Sequence, residues 1–167
     1  NAMTPWAVPW IEHQRRDAYW KHGSVCENFD DIEIPVYAIG GWADAYSNPV
    51  PRLLSGLNVP RKGLVGPWGH QYMHQVLPRP GMGYMDEALR WWNYWLKGIE
   101  AGIMDEPQYR AWVQDSVQPS STYHERPGYW ATESEWPSPN IGSQTFHLNT
   151  DGLGDTANSE KSISVQS

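Results

Sequence analysis

The stretch from Ile32 to His70 constrains the fold more than any other part of this 167-residue chain. It holds two short apolar segments, Pro35–Gly40 and Lys62–Gly66, and each is followed by a loop rich in glycine and tryptophan. Between them, apolar residues recur at helical spacing from Asn48 to Leu57. This order predicts a strand, a crossover helix and a second strand, the unit from which a parallel sheet is built.

Each predicted strand leads into a loop that carries one side chain able to handle a proton. Asp44 follows the first strand, and His70 follows the second. Because parallel strands end at the same edge of a sheet, we expect both side chains at that edge. A carboxylate bonded to one imidazole nitrogen fixes the tautomer, so the other nitrogen can take a proton from a nucleophile. From spacing alone, Asp44 could equally be a turn residue and His70 a packing residue.

Helices are predicted on both sides of this unit. The first spans Trp6 to His22, with Gly23 just past its end. The second spans Asp86 to Glu100 and has acidic residues in its first turn. Its apolar stripe is expected to pack in the core and consists of Met85, Leu89, Trp92, Leu96 and Ile99.

From Asp105 onward the sequence changes to short alternating segments separated by prolines. Gln108–Gln114 and Gln144–Asn149 alternate apolar and polar residues, as half-buried strands do. Two or three strands cannot close a sandwich. We therefore expect the beginning of a truncated all-β module here.

Composition excludes several classes of partner. The net charge is −7 and there is no long basic run, so binding to nucleic acid is disfavoured. No apolar stretch is long enough to span a membrane, and the single Cys26 fits a reducing compartment. These features predict a soluble, cytoplasmic protein that needs no cofactor. The eleven tryptophans are expected to serve mainly in packing.

Three motifs make the chain similar to one known family. Gly40–Asp44 reads GGWAD, Gly66–His70 reads GPWGH, and Trp91–Gly98 reads WWNYWLKG. With the segment Glu106–Val113, EPQYRAWV, these motifs resemble the CocE/NonD hydrolases. That family includes cocaine esterase, α-amino-acid ester hydrolases and X-prolyl dipeptidyl-peptidases.

The resemblance implies an α/β fold, the C-terminal part of an α/β-hydrolase sheet with flanking helices followed by the truncated start of a jelly-roll β-sandwich. It implies three regions: residues 3–31 end a helical cap, residues 32–104 belong to the hydrolase domain, and residues 105–167 form part of the sandwich. Asp44 then matches the aspartate of the family's catalytic triad, and His70 matches its histidine. The neighbouring Trp42, Tyr46 and Trp68 are predicted to contact a small ester or peptide substrate.

The sequence departs from the family pattern at two points. It contains no G-x-S-x-G motif, in which the family carries its serine nucleophile. We therefore expect a fragment that is inactive alone and whose serine belongs to a missing N-terminal half. In addition, Ala45, Tyr46 and Ser47 follow Asp44 where relatives that bind a free amino group carry carboxylates. This favours a substrate without a free amine.

Three further interpretations of the sequence remain open at this point. His70 and His74 are four residues apart and could share a zinc ion if they lay on a helix. A non-catalytic module could use exposed tryptophans to bind carbohydrate or protein. Finally, a hydrolase sheet cut before its last strands has an unpaired edge. Self-association is therefore predicted, with Pro35–Gly40 or the tryptophan helix at the contact.

Overall fold

A four-stranded mixed sheet forms the centre of the molecule in a computed structural model that describes residues 5–149 and 152–156. Its strands, in spatial order, are β1 (Val36–Gly41), β2 (Arg61–Gly66), β3 (Tyr109–Gln114) and β4 (Gly128–Glu133). Strands β1, β2 and β3 are parallel, and β4 is antiparallel to β3. A separate hairpin pairs β5 (His147–Asn149) with β6 (Gly152–Gly154). The α-helices are α1 (Ala7–Glu12), α2 (Ala18–His22), α3 (Pro49–Gly56) and α4 (Tyr84–Lys97).

The predicted strand–helix–strand unit is confirmed. β1 and β2 pair in parallel, and α3 connects them. Asn48 stands at the start of α3 without a side-chain capping bond, while Pro49 occupies the first helical position. One face of the sheet packs against α3 in a buried cluster formed by Ala38, Val50, Leu54, Val65 and Tyr109.

The opposite face of the sheet is covered by the loop after β2 and by α4. Leu64, Trp68, Met73 and Val76 form a buried cluster there. The ring of Trp91 on α4 lies 5.3 Å from the ring of Tyr37 on β1. The sheet is therefore the middle layer between two packed surfaces, as in other α/β folds.

The prediction of one helix over Trp6–His22 is wrong, because the chain leaves the helical conformation before Asp17. Asp17 is extended and its carboxylate accepts a hydrogen bond from the N–H of Tyr19, so it caps a new helix, α2. Nδ1 of His13 lies 2.6 Å from the Asp17 carboxylate and closes the turn between α1 and α2. Gly23 follows α2 as predicted.

The prediction that the stripe of α4 belongs to the core is also wrong. The helix begins two residues before Asp86 and ends at Lys97, because Gly98 adopts a left-handed conformation with φ of 65°. The stripe residues are 49–73 % exposed: Met85, Leu89, Trp92, Leu96 and Ile99. The other side of α4 faces the sheet and buries Glu87 and Trp91.

A buried charged network determines which side of α4 faces the sheet. The Glu87 carboxylate lies 2.9 Å from a guanidinium nitrogen of Arg110 on β3 and accepts a 3.0 Å hydrogen bond from the Tyr37 hydroxyl. The same Arg110 nitrogen donates to the Tyr37 oxygen at 2.7 Å. Burial raises the pKa of Tyr37, so its hydroxyl keeps the proton that it donates. Helical periodicity alone gave no sign of this ion pair.

β3 and β4 continue the central sheet beyond residue 105, where the sequence suggests a division. Three residues of β2 pair with Tyr109, Arg110 and Ala111 of β3. Lys62 on β2 is buried, and its ammonium donates to the carbonyls of Glu106 and Pro107.

None of the helices in the described part of the chain has the length and apolarity that a bilayer crossing requires.

Removal of Arg110 should destabilise the fold strongly. In Arg110→Ala, the buried Glu87 loses the guanidinium at 2.9 Å and keeps only the more distant Arg90 at 4.0 Å, so we expect a loss of about 3 kcal/mol in the free energy of unfolding. Urea denaturation followed by circular dichroism measures this loss. Arg16→Ala is the control, because Arg16 pairs with Glu27 at the surface and should cost less than about 1 kcal/mol. Equal losses in both variants would contradict the role of the buried network.

Candidate active site

The loop after β1 is held against the loop after β2 by backbone hydrogen bonds. The N–H of Trp42 donates to the carbonyl of Gly66 at 2.9 Å, and the N–H of Ala43 donates to the carbonyl of Trp68 at 2.9 Å. The parallel pairing of the two strands is thus continued for two residues beyond Gly41. Asp44, the next residue, is delivered beside the second loop.

Gly41 permits this contact because it has no side chain. A Cβ atom at Gly41 would lie 2.1 Å from the carbonyl oxygen of Trp68, which is far inside van der Waals contact. The backbones of the two loops therefore approach closely at Gly41, as only glycine allows. Gly66 is restricted similarly, because the indole ring of Trp68 packs against it. A Cβ atom at Gly66 would lie 2.3 Å from that ring.

The two loops bring Asp44 and His70 into direct contact. Nδ1 of His70 lies 2.7 Å from Oδ2 of Asp44. An ionised carboxylate can only accept, so Nδ1 carries the proton and Nε2 is left as the acceptor nitrogen. The Asp44 side chain is 14 % exposed, whereas that of His70 is 83 % exposed. The pair therefore has a sheltered acid and an accessible imidazole.

Hydrogen bonding keeps Asp44 ionised. Its Oδ1 accepts from the backbone N–H of Tyr46 at 2.9 Å, while Oδ2 is paired with His70. The Tyr46 N–H is the larger influence and the His70 hydrogen bond the next, and together they hold the pKa of Asp44 below its ordinary value of 3.8. A carboxylate that stays charged can orient the imidazole and stabilise its protonated form.

A cleft of about 700 Å³ opens beside this pair, within the size range of small-molecule sites. One wall is the end of β1 from Ile39 to Gly41. The other wall is the segment from Trp68 to Tyr72, together with Gln75. Asp44 is the one carboxylate among the residues that line the cleft, and it is engaged by His70.

Both site loops are tied to the C-terminal half of the described chain. The indole N–H of Trp42 donates to the carbonyl of Trp112 on β3 at 2.7 Å. In the loop that follows His70, the N–H of Arg79 donates to the carbonyl of His124, and the N–H of Arg126 donates to the carbonyl of Arg79. The C-terminal half thus fixes the position of each loop.

The residues predicted to contact substrate lie in different environments. Tyr46 is exposed, and its ring centre lies 6.5 Å from that of His70. Trp42 is partly exposed but uses its indole N–H to bond to Trp112. Trp68 is 2 % exposed, and its indole N–H donates to the carbonyl of Pro80. The Trp68 ring is therefore mainly a packing element, although the residue lines the cleft, and its contact with substrate stays a prediction.

The positions of His70 and His74 do not support the hypothesis that they share a zinc ion. His70 is paired with Asp44, whereas His74 stacks on Tyr84 with 6.0 Å between ring centres. Within residues 5–149 and 152–156, no three histidine, cysteine or carboxylate side chains come together as metal ligands would.

Two family models match the sequence. Residues 1–72 match the X-Pro dipeptidyl-peptidase family S15, and residues 101–166 match the X-Pro dipeptidyl-peptidase C-terminal non-catalytic domain. The first matched segment includes both Asp44 and His70. These two matches support the CocE/NonD X-Pro peptidase class.

Two similar proteins are named as esterases. The chain is 21 % identical over 177 aligned residues to the cocaine esterase of a Rhodococcus species, covering 98 % of this chain and 29 % of that protein. It is 26 % identical to a putative serine esterase of Mycobacterium bovis over 125 residues, covering 70 % of this chain and 18 % of the relative. The chain thus spans less than a third of the length of either relative.

Solved structures share the fold of this chain. Two crystal structures of a CocE/NonD family hydrolase from Staphylococcus aureus superpose with TM-scores of 0.64 and 0.66 at 15 % identity. They cover 89 % and 92 % of this chain but only 25 % and 26 % of the hydrolase. The mixed α/β architecture is therefore common to both proteins.

Four of the residues that line the cleft are not identified from the sequence. Gln71, Tyr72 and Gln75 line it but carry no motif, and Ile39 sits inside an ordinary strand pattern. Their closeness to His70 in sequence is the one signal that could have identified the two glutamines and Tyr72. No sequence signal shows that the Tyr46 backbone N–H holds Asp44.

A methyl group at Gly41 should separate the two site loops. Gly41→Ala places a Cβ against the Trp68 carbonyl, so we expect a loss of about 1–3 kcal/mol in stability and loss of the Asp44–His70 hydrogen bond. The proton on Nδ1 of His70, followed by NMR, reports on that bond.

Gly69→Ala is the matched control for this substitution. Its added Cβ would meet nothing closer than 3.5 Å, so the imidazole signal should stay unchanged. An intact His70 signal in Gly41→Ala would contradict the proposed contact between the loops.

The lowered pKa of Asp44 predicts a pH-dependent contribution to stability. A carboxylate with a depressed folded pKa stabilises the fold above its ordinary value of 3.8, and this stabilisation is lost as pH falls through the folded pKa. In His70→Ala, one of the two hydrogen bonds is absent, so the midpoint should rise. Carbon-13 NMR of the Asp44 carboxyl group measures it. A midpoint that is the same with and without His70 would contradict the pairing.

Proposed function

We propose that the chain supplies the histidine and aspartate of a serine hydrolase that transfers an acyl group from an ester or X-prolyl peptide bond to water. His70 serves as general base and then as general acid, and Asp44 orients it. The observation that carries this proposal is the 2.7 Å contact between Nδ1 of His70 and Oδ2 of Asp44 beside an open cleft.

The geometry supports these roles in a simple way. With Nδ1 bonded to Asp44, Nε2 is the nitrogen that can accept a proton from an attacking hydroxyl. Asp44 stabilises the imidazolium that forms, and the proton then passes to the leaving group. The high exposure of the His70 side chain leaves Nε2 accessible to a nucleophile from another part of the enzyme.

The nucleophile of the proposed reaction is a serine outside these 167 residues, since the sequence contains no G-x-S-x-G. β1 is the first strand of the sheet order, and no described residue pairs with its outer side. An added parallel strand at this edge would end at the same side as β1 and β2. The serine on its following turn would then lie near Nε2. This is the role we assign to a missing N-terminal half.

The cleft supports an acyl group without a free amine as substrate. Asp44 is engaged by His70, and the other lining residues carry no negative charge, so this wall offers no partner to an ammonium group. Gln71, Gln75 and the Tyr72 hydroxyl can hydrogen-bond to neutral polar groups. The names of the relatives, cocaine esterase and X-Pro dipeptidyl-peptidase, cover ester and amide chemistry.

We also propose that residues from 105 onward include the start of a jelly-roll β-sandwich. The match of residues 101–166 to the X-Pro dipeptidyl-peptidase C-terminal domain supports this. The short β5–β6 hairpin is of the kind that such a sandwich contains.

A carbohydrate-binding module is the weaker alternative. Stacking on a sugar needs exposed rings that share one surface. Trp6, at the start of α1, contacts Trp10, whereas Trp42 is bonded to β3 and Trp92 lies on α4. The exposed indoles thus come from three separate elements.

Labelling with a fluorophosphonate serine probe tests the proposed function. The 167-residue chain should remain unlabelled, because its base has no serine to activate. A longer polypeptide that adds an in-frame G-x-S-x-G segment upstream should be labelled at that serine. His70→Ala in this longer polypeptide should slow labelling by about 10²–10⁴-fold.

A known serine esterase serves as the positive control for the probe, and heat-denatured chain measures non-specific labelling. Stoichiometric modification of any serine in the 167-residue chain would contradict the proposal. A longer polypeptide whose labelling rate is unaffected by His70→Ala would contradict the assignment of His70.

A further inference from the structure

Three tryptophan indoles near the candidate site each donate a hydrogen bond to a backbone carbonyl in another segment. Trp42, in the loop after β1, donates to the carbonyl of Trp112 on β3 at 2.7 Å. The indole of Trp112 donates to the carbonyl of Arg126, two residues before β4, at 3.1 Å. Trp68, in the loop after β2, donates to the carbonyl of Pro80 at 2.6 Å. Each bond joins residues that are at least 12 positions apart in sequence.

Backbone hydrogen bonds connect these three indoles into a closed series. The N–H of Arg126 donates to the carbonyl of Arg79 at 2.9 Å, and Arg79 precedes Pro80, which accepts the Trp68 indole. The carbonyl of Trp68 in turn accepts from the N–H of Ala43 at 2.9 Å. The series thus leaves the loop after β1, passes through β3 and the loop after β2, and returns to the loop after β1. We call it the indole path.

Pro67 explains why the carbonyl of Trp112 is open to an indole. β2 and β3 are parallel, and the N–H of Gly63 donates to the carbonyl of Gln108 at 2.8 Å. Because donors recur at every second residue of a parallel ladder, the donor to Trp112 would be residue 67. Proline has no N–H, and Pro67 is buried. The indole of Trp42 supplies the donor that the ladder lacks at this point.

A fourth tryptophan packs against two of the three rings. Trp130 on β4 lies opposite Trp112 in the antiparallel register of β3 and β4. The centre of its ring is 5.2 Å from that of Trp112 and 6.1 Å from that of Trp68. An indole has a single N–H, so a packed ring points its donor in one direction and fixes the carbonyl that accepts it. The sheet therefore supports two links of the indole path.

We propose that Trp42 and Trp112 are positioning residues that keep Asp44 within hydrogen-bond distance of His70. Asp44 is two residues beyond Trp42, and His70 is two residues beyond Trp68, so the indole path holds both members of the pair. Trp42 is not among the described residues that line the cleft, although a substrate contact is predicted for it. The effect on catalysis rests on the proposed function, whereas the alignment of Asp44 with His70 does not.

Trp42→Phe tests the first link in the 167-residue chain. The variant keeps an aromatic ring but loses the N–H, so the loop should shift and the signal of the His70 Nδ1 proton should weaken. The titration midpoint of the Asp44 carboxyl group should rise toward 3.8, because the His70 hydrogen bond is one of the causes that lower its pKa. Proton and carbon-13 NMR measure the two effects. Trp42 is 42 % exposed, so circular dichroism should show an intact fold.

Trp20→Phe is the matched control. The indole of Trp20 also donates to a backbone carbonyl, that of His13 at 2.6 Å, but this bond lies outside the two site loops. Both NMR signals should therefore stay as in the wild-type chain. Changes of the same size in Trp20→Phe and Trp42→Phe would overturn the proposal, because they would show a general loosening of the fold.

Trp112→Phe tests the second link. The carbonyl that Trp42 uses is retained, whereas the hydrogen bond to Arg126 is lost. Because the two bonds lie on one path, breaking either should release the alignment. The double variant Trp42→Phe/Trp112→Phe should then raise the Asp44 midpoint no further than the larger single change. Single changes that add, or an unchanged midpoint in both single variants, would overturn the proposal.

Fluorophosphonate labelling of the longer polypeptide measures the effect on chemistry. Trp42→Phe should slow labelling by up to about 10²-fold, because the base is misplaced. If the longer polypeptide is not labelled at all, the proposed function fails, and NMR of the 167-residue chain still decides the alignment. If it is labelled but Trp42→Phe changes neither the labelling rate nor the NMR signals, the proposed function stands and the positioning role is overturned.

Discussion

The close contact between Gly41 and the carbonyl of Trp68 is the constraint on which the site depends. It allows two loops that follow neighbouring parallel strands to approach as closely as strands themselves. Asp44 and His70 then meet because their backbones have been brought together first. The contact between Asp44 and His70 thus follows from the sheet geometry and from the absence of a side chain at Gly41.

Much of this arrangement follows from the sequence because the determinants are local. The glycine- and tryptophan-rich sequences after the two strands, Gly-Gly-Trp and Gly-Pro-Trp-Gly, indicate where each loop begins. The helix between the strands indicates that they pair in parallel. The contact between Asp44 and His70 follows from that topology. The cap and sandwich assignments rest on resemblance and remain predictions.

The features that sequence did not predict depend on long-range contacts. The outward face of α4 is determined by Glu87, whose partners are 50 residues before it on β1 and 23 residues after it on β3. Apolar periodicity identifies a helix face but not which face a buried ion pair selects. The predicted first helix is split for a different reason. The Asp17 carboxylate accepts a hydrogen bond from the N–H of Tyr19, and this cap starts the separate helix α2.

The segment from residue 101 matches a domain described as non-catalytic, yet its backbone contacts both loops of the candidate site. The carbonyl of Trp112 accepts a hydrogen bond from the indole of Trp42 in the loop that carries Asp44. The backbones of His124 and Arg126 both hydrogen-bond to Arg79 in the loop that follows His70. These contacts let the segment align the two loops without contributing a side chain to the Asp44–His70 pair. Removal of this segment should therefore loosen both loops, although neither Asp44 nor His70 belongs to it.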